Sequence, residues 1–279
     1  MPPHASEFFV QAFEPFCTAL VSFEVEEHVL WRVEGYTLVP PTQEALTAAV
    51  AIAASRAGIV EPDVICLPLP VTDWVAETQR SFQPLRAGRY FIHPSHFDGP
   101  VPYGSYPIMV DAGAAFGTGE HATTKGCLLA MDGLARARRF VNPLDLGCGS
   151  GILSMAAAKT WRVQVTAADI DPQSVVVARE NARLNRLSGL VQTVRSNGFA
   201  APQLRNNAPY DLIIANILAR PLVGLSYAIR RHLAPGGVCI LSGLLSHQEK
   251  EVFAAFRRQG MRLVRRIPID GWHTLIVSR

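Results

Sequence analysis

The chain of 279 residues lacks the features that mark several protein classes. Its five cysteines are scattered and form no CxxC pair, so we expect neither a metal site built on cysteine nor a disulfide framework. No helical apolar stretch is long enough to cross a bilayer, and the first residues carry no basic, apolar leader. These absences predict a cytoplasmic protein that has no membrane partner.

Charge of one sign is also lacking. The 26 basic and 23 acidic residues leave a formal net charge of +3, which is too balanced to indicate nucleic-acid binding. Hydrophobic residues make up 49% of the chain and charged residues 18%, a composition that excludes intrinsic disorder. The length predicts one large domain, or a medium domain joined to a small one.

The first part of the chain, residues 1–70, predicts a small α+β domain. Two segments rich in β-forming residues, CTALVSFEV and HVLWRVEGYTL, flank a polar turn. Thr42 is placed to cap the helix QEALTAAVAIAASRA, and Gly58 to end it. VICLPLP, at 64–70, is a candidate third strand. Because this domain has no cluster of chemically useful side chains, we interpret it as a substrate-recognition or scaffolding domain.

A connector follows at 71–90, and strands then alternate with helices over 91–279. The connector contains a short predicted helix, TDWVAETQR, and a strand is predicted in RYFIHP at its end. In the last part, Asp171 and Pro172 start one helix as cap and first residue. Ser246 and Glu249 predict a capping box for another helix, and Ala234–Gly237 predict a turn. Asp270-Gly271 indicates a hairpin. The alternation predicts an α/β fold with a mostly parallel sheet.

A glycine loop carries the first sign of chemistry. Gly147, Gly149 and Gly151 form a compact GxGxG between a predicted strand and helix, and Asp169 follows at the end of the next strand. Glycines let a ligand approach the backbone closely, and a carboxylate there can accept hydrogen bonds from both ribose hydroxyls. The spacing departs from the dinucleotide GxGxxG, and no GK[ST] marks a phosphate loop. The pattern is typical of S-adenosylmethionine-dependent methyltransferases.

Two further segments lie where such a ligand would bind. Asn216 follows the fourth strand of the alternation, at the sheet edge where α/β proteins hold ligands, although asparagine there is also a good helix cap. The glycine-rich run 111–124 precedes a helix and could cover the cofactor. His121 has no second ligand type beside it, and His93 and His96 are separated by a proline, so no metal site is predicted. No GxSxG elbow indicates a hydrolase.

Five segments together resemble one family, the PrmA-type ribosomal protein methyltransferases. They are DAGAAFGTGEHATT, LDLGCGSGILSMAAAK, ADIDPQSVVVARENARLN, ANILARPL and LAPGGVCILSGLL. They occur in order across about residues 70–279, whereas residues 1–70 match only in outline. The resemblance implies a Rossmann-like class I methyltransferase domain with a mostly parallel seven-stranded sheet, and a small N-terminal domain that recognises the substrate. It also implies S-adenosylmethionine as cofactor and methylation of lysine and N-terminal amines of large-subunit ribosomal protein 11.

The resemblance assigns roles to particular residues. Thr124, Gly147, Asp169 and Asn216 take the family's cofactor contacts, and Asn216 is the one candidate beside the nucleophile. Ala112 stands where the family's loop usually has proline. The residues expected to fold over the methionine part of the cofactor are Phe116, Gly117, Thr118 and His121.

Methyl transfer to a lysine requires a neutral amine. A lysine with a pKa of about 10.4 is neutral in less than about one molecule in a thousand at pH 7, so the site must favour the neutral amine. No obligatory base is identifiable, and loss of the proton to water suffices.

One alternative function is that of a methyltransferase for another protein or a small amine, as in mitochondrial enzymes that share this core. The other is a non-enzymatic binder of the cofactor, which a turnover assay would separate.

Overall fold

The structure, a computed structural model, describes residues 1–26, 30–68, 84–110 and 122–279. The chain divides into two compact units, Met1–Thr72 and Asp73–Arg279. The helix predicted over 72–80 lies outside the described residues. Within the described ranges, no helix combines the length and the apolar character that a membrane span requires.

The first unit contains two helices and a hairpin: α1 (Ser6–Phe13), β1 (Ala19–Glu26), β2 (Leu30–Tyr36) and α2 (Gln43–Ala57). The antiparallel pair β1–β2 and the capping of α2 are confirmed. The Thr42 side chain accepts a hydrogen bond from the Ala45 N–H at 3.3 Å, and Gly58 has φ +67°. Helix α1 was not predicted, although Phe9 and Phe13 are spaced to share one helix face and are buried against α2 residues such as Ala53.

The third strand predicted in 64–70 is wrong for the residues that the structure describes. Residues 64–68 have no regular secondary structure, and Ile65 and Leu67 are largely exposed. Pro68 lacks the N–H that a sheet ladder needs, so the apolar character of this segment alone does not make a strand. Leu69 and Pro70 lie outside the described residues.

The second unit holds two sheets. A three-stranded sheet comprises β3 (Leu85–Ala87), β4 (Tyr90–His93) and β5 (Tyr106–Met109). A seven-stranded sheet has the order β11-β12-β10-β9-β6-β7-β8, built from β6 (Pro143–Leu146), β7 (Val165–Asp169), β8 (Val191–Arg195), β9 (Tyr210–Asn216), β10 (Leu233–Leu245), β11 (Arg262–Ile269) and β12 (Trp272–Ser278). Its helices are α3 (Ala122–Ala137), α4 (Ile152–Trp161), α5 (Pro172–Leu184), α6 (Pro202–Asn206), α7 (Ala219–His232) and α8 (Glu249–Arg258).

The larger sheet confirms the predicted fold class, a mostly parallel α/β architecture. Strands β10, β9, β6, β7 and β8 run parallel to one another, and β12 pairs antiparallel with β10 and β11. Successive residues of β9 point to opposite cores: Leu212 and Ile214 to one, Ile213 and Ala215 to the other. Burial on both faces explains why this strand is continuously apolar in sequence.

Two local predictions in this unit are wrong. The predicted turn Ala234–Gly237 belongs to β10, which begins at Leu233 and shows an irregular register against β9 between Leu233 and Val238. The predicted capping box of Ser246 and Glu249 does not form. The Glu249 carboxylate is not available for it, because it is held by Arg266 and His273. The Leu245 N–H donates to Gln248 Oε1 at 2.9 Å instead.

Other local predictions hold. The Asp171 carboxylate accepts from the Gln173 and Ser174 N–H groups at the start of α5. Both Asp270 and Gly271 have positive φ, as a tight hairpin between β11 and β12 requires.

Candidate functional site

The order of the strands places a crevice beside β6. The chain runs from β6 to β7 and β8 on one side, then returns to the other side of β6 with β9 and β10. At such a switch point the connecting loops diverge, so the carboxyl ends of β6 and β9 form an open cleft. The glycine loop follows β6, and Asn216 ends β9.

The glycine loop turns back on the end of β7. The N–H groups of Gly147 and Cys148 both donate to the Ala168 carbonyl, at 2.7 and 3.0 Å. Gly147, Gly149 and Gly151 all have positive φ, between +52° and +82°, a conformation that is strained for residues with side chains. The conformation of the loop therefore favours glycine at all three positions, and a close approach of the cofactor to its backbone stays a prediction.

Gly151 has a packing role that the structure makes visible. It precedes α4, and a Cβ atom there would lie 3.1 Å from the Cβ of Ala178 on α5. The amide of Asn181, also on α5, donates to the Ser150 carbonyl at 2.8 Å. Gly151 thus allows two helices to approach the loop, and a direct cofactor contact by this residue stays a prediction.

Asp169 holds the loop from the end of β7. Its Oδ2 accepts from the Gly149 N–H at 2.8 Å, and its Oδ1 accepts from the Asp171 N–H at 3.0 Å. An ionised carboxylate has about four acceptor positions, so each oxygen retains capacity for a further donor. The side chain is only partly buried, which leaves it accessible from the cleft.

Ile217 is held between two glycines. A Cβ at Gly147 would lie 2.3 Å from the Cγ2 atom of Ile217, and a Cβ at Gly243 on β10 would lie 2.3 Å from its carbonyl oxygen. The turn after Asn216 can therefore pack against both the glycine loop and β10 only because Gly147 and Gly243 have no side chains. Gly243, with φ +84°, was not predicted; a glycine inside a strand pattern is the available signal.

Thr124 and Asn216 meet across 92 residues of sequence. The Nδ2 of Asn216 lies 3.5 Å from the Oγ1 of Thr124, in the first turn of α3. Thr124 is buried and Asn216 is half-buried at the cleft. The other predicted loop residues, Phe116, Gly117, Thr118 and His121, lie outside the described residues.

Asp145, on β6, is a buried carboxylate that was not predicted as a site residue. Its Oδ2 accepts from the Ser154 hydroxyl at 2.5 Å, and its Oδ1 has no hydrogen-bond partner among the described residues. Burial raises the pKa of Asp145 to about 7, a shift that the bonds to Ser154 oppose. A carboxylate inside a run of apolar strand residues was the signal in the sequence.

The described residues hold no metal-like cluster: no group of three or more His, Cys, Asp or Glu side chains converges there. His93 ends β4 and packs beside the rings of Phe91 and Phe97, at 5.6 and 5.7 Å between centroids. His96 is exposed. These contacts give His93 a packing role.

Comparison with known proteins gives one consistent family. The family model of ribosomal protein L11 methyltransferase (PrmA) matches residues 18–279. A ribosomal protein L11 methyltransferase of Rhodopseudomonas palustris (strain BisB5) is 42% identical over 96% of this chain and 90% of that protein. One of Caulobacter sp. (strain K31) is 41% identical over 92% and 86%. A crystal structure of ribosomal protein L11 methylase from Lactobacillus delbrueckii subsp. bulgaricus is 31% identical, with a TM-score of 0.63 over 71% of this chain and 99% of that one.

Proposed function

The chain belongs to the ribosomal protein L11 methyltransferase (PrmA) family, and we propose that it methylates lysine side-chain and N-terminal amines of ribosomal protein L11 with S-adenosylmethionine. The observation that carries the proposal is the convergence at one switch point of the bare glycine loop, Asp169 and the Thr124–Asn216 pair.

The residues of the cleft fit S-adenosylmethionine. Side chains at Gly147 and Gly149 would be strained at their positive φ angles, and one at Gly147 would also collide with Ile217. The partly exposed carboxylate of Asp169 already accepts two backbone N–H groups and can accept ribose hydroxyls as well. Its two bonds also fix its orientation, so Asp169 would bind the ribose without a large loss of side-chain entropy.

Bound S-adenosylmethionine supplies an electrophilic methyl group on a positively charged sulfur. The chain's own residues have to bring a neutral amine into line with that methyl group, and positioning of this kind accounts for a large part of the rate. Asn216 is the residue that we place beside the amine. Its Nδ2 faces Thr124, so its Oδ1 is the atom that would accept an amine N–H and thereby orient the nitrogen lone pair.

Deprotonation of the amine needs no dedicated base in this proposal. Two apolar residues, Ile217 and Leu218, follow Asn216 directly, and the side chain of Leu218 is largely exposed. Apolar surroundings disfavour the charged ammonium and lower the pKa of a bound lysine, so the proton leaves to water before transfer.

Recognition of the protein substrate is assigned to the first unit. Val21, Phe23 and Val25 alternate along β1, so they share one face of the hairpin, and all three are exposed. The opposite face packs through Leu20 and Val33 against the core of that unit. An exposed apolar stripe on an ordered strand supports a role in binding another protein.

Methyl incorporation into purified ribosomal protein L11 tests the proposal. We expect the chain to transfer label from S-adenosylmethionine to L11, and mass spectrometry to place it on lysine and N-terminal amines. L11 from cells that lack this protein should have lost the corresponding mass. Cofactor binding with no transfer to L11 would indicate another protein substrate or a non-enzymatic binder, and absence of cofactor binding would contradict the proposal entirely.

A further inference from the structure

A buried row of polar side chains lies beneath the first turn of α3, behind the cleft. Ser242 on β10 is fully buried, and Thr274 on β12 is 2% exposed. Their hydroxyl oxygens are 2.8 Å apart, and Ser242 Oγ is 3.3 Å from the carbonyl oxygen of Thr123. These contacts join α3 to two strands that are 119 and 151 residues further along the chain.

The hydrogen-bonding capacity of these groups fixes the direction of the row. The Thr123 carbonyl can only accept, so the single proton of Ser242 is donated to it. Thr274 must then donate its own proton to Ser242. Ser242 thus donates to Thr123 and accepts from Thr274, so it links the helix to the strand β12.

Helix α3 also packs closely against Thr274. A Cβ atom at Gly126, on α3, would lie 2.2 Å from the Oγ1 of Thr274. The backbone of α3 at Gly126 therefore packs directly against the Thr274 hydroxyl, one turn after Thr123.

This turn carries a residue of the proposed cofactor site. Thr124 follows Thr123 directly, and its hydroxyl lies 3.5 Å from the Nδ2 of Asn216. Asn216 and Ser242 are register partners on the adjacent strands β9 and β10. The row Thr274–Ser242–Thr123 and the pair Thr124–Asn216 are therefore consecutive parts of one contact between helix and sheet.

We propose that Ser242 and Thr274 are positioning residues for the cofactor: their paired hydroxyls hold the first turn of α3 so that Thr124 stands against Asn216. The inference rests on the proposed function and adds two residues to it. Neither side chain reaches the cleft, since both are buried under α3, so they act through Thr123 and Thr124.

The test is the full-length variant Thr274→Val, which keeps the shape of the side chain and removes its proton. We expect the Kd for S-adenosylhomocysteine and the KM for S-adenosylmethionine to rise about three- to tenfold, as for loss of a buried hydrogen bond. The kcat at saturating cofactor should fall less than the affinity, because Asn216 itself is kept and bound cofactor restores the position of the turn. Thr274→Ser, which restores the hydroxyl, should recover the affinity.

Thr166→Val is the matched control. Thr166 is a buried threonine of β7 in the same sheet, and it hydrogen-bonds Tyr210 away from α3. It should lose thermal stability as Thr274→Val does, but keep its affinity for the cofactor. Equal affinity losses in the two variants, or unchanged affinity in Thr274→Val, would overturn the inference. If Thr274→Val fails to fold, Ser242→Ala serves in its place with the same expectations.

A double-mutant cycle distinguishes positioning from general support. If Thr274 acts through Thr124, then Thr274→Val should have little further effect on cofactor affinity in a Thr124→Val background. Fully additive losses would contradict the inference. The wild-type protein separates this question from the proposed function, since a wild type that does not bind the cofactor refutes the function itself.

Discussion

The two units of the chain differ in what they bury and what they expose. In the second unit, the seven-stranded sheet carries a core on each face, and every residue of β6 is buried. In the first unit, the two-stranded hairpin packs one face on its helices and leaves Val21, Phe23 and Val25 exposed. A sheet with helices on both faces can bury continuous apolar strands, whereas a hairpin covered on one face cannot.

Buried polar groups show the opposite distribution. Among the described residues, those that are polar and buried all belong to the second unit, and several lie around the cleft or under α3: Thr123, Thr124, Asp145, Ser150, Ser154, Ser242 and Thr274. Burying such groups is costly unless they are hydrogen-bonded, so their concentration marks the part of the molecule that has to be held rigid. The comparison supports our proposal that the cofactor binds to the second unit and that the first unit contacts the substrate.

The largest effect is expected for Gly149→Val in the glycine loop. A β-branched side chain is strained at the φ of +52°, and we expect it to keep the cofactor from the backbone of the loop. Calorimetry with S-adenosylhomocysteine should detect no binding, while circular dichroism shows a folded protein. Gly224→Val, in α7 with open space around it, should bind normally. Normal binding by Gly149→Val would show that the cofactor lies elsewhere.

Asp169→Ala should weaken cofactor binding by about 1.5–3 kcal/mol, because the ribose loses its bonds to a charged group. The same change also removes the acceptor of the Gly149 N–H, so a fall in thermal stability should accompany it. Calorimetry and thermal unfolding measure the two effects. Unchanged affinity would end the assignment of Asp169 to the ribose, whatever the change in stability.

Phe23→Asp, on the exposed stripe of the first unit, should change only the reaction with intact L11. Loss of an aromatic contact at the centre of an interface should raise the KM for L11 about tenfold. Cofactor affinity and the methylation of a short lysine peptide should stay as in the wild type. Val21→Asp and Val264→Asp test whether the effect is confined to the first unit, because both valines are exposed on strands but lie in different units.

Only Val21→Asp should raise the KM for intact L11. An effect of the same size from Val264→Asp on β11 would mean that the second unit also contacts the substrate. No effect from either stripe variant would remove the role that we propose for the hairpin.

A pH dependence of stability, rather than of binding, is expected at Asp145 in the second unit. Burial raises the pKa of this carboxyl from 3.8 to about 7, so the folded state keeps the proton that the unfolded state releases. The stability that the group contributes is therefore complete below about pH 4 and is lost as the pH rises to about 7.

Asp145→Asn cannot ionise and should lack this loss. Free energies of unfolding in urea, measured between pH 4 and 8, should shift in favour of the variant as the pH rises, and the difference should level off above pH 7. A difference that stays constant with pH would show that Asp145 is ionised in the folded protein throughout this range.

Much of this architecture could be predicted from the sequence because it depends on local patterns. Continuous apolar strands, caps such as Thr42 and Asp171, and the Asp270-Gly271 turn act over a few residues, and all were predicted. Predictions failed where a distant partner decided the outcome. Glu249 left its predicted capping box for Arg266 and His273, and the residues 234–237 extend β10 where a turn was predicted.

The sequence by itself determined the α/β class, the glycine loop with Asp169, and the position of Asn216 at a strand end, since each follows from residue type and spacing. Only the tertiary structure decided which groups meet. The contacts of Ile217 with Gly147 and Gly243, and the row from Thr274 through Ser242 to Thr123, join strands and a helix that are far apart in the chain. A buried hydroxyl or a bare glycine acquires its partner from the order of the strands, and that order follows from packing the whole sheet.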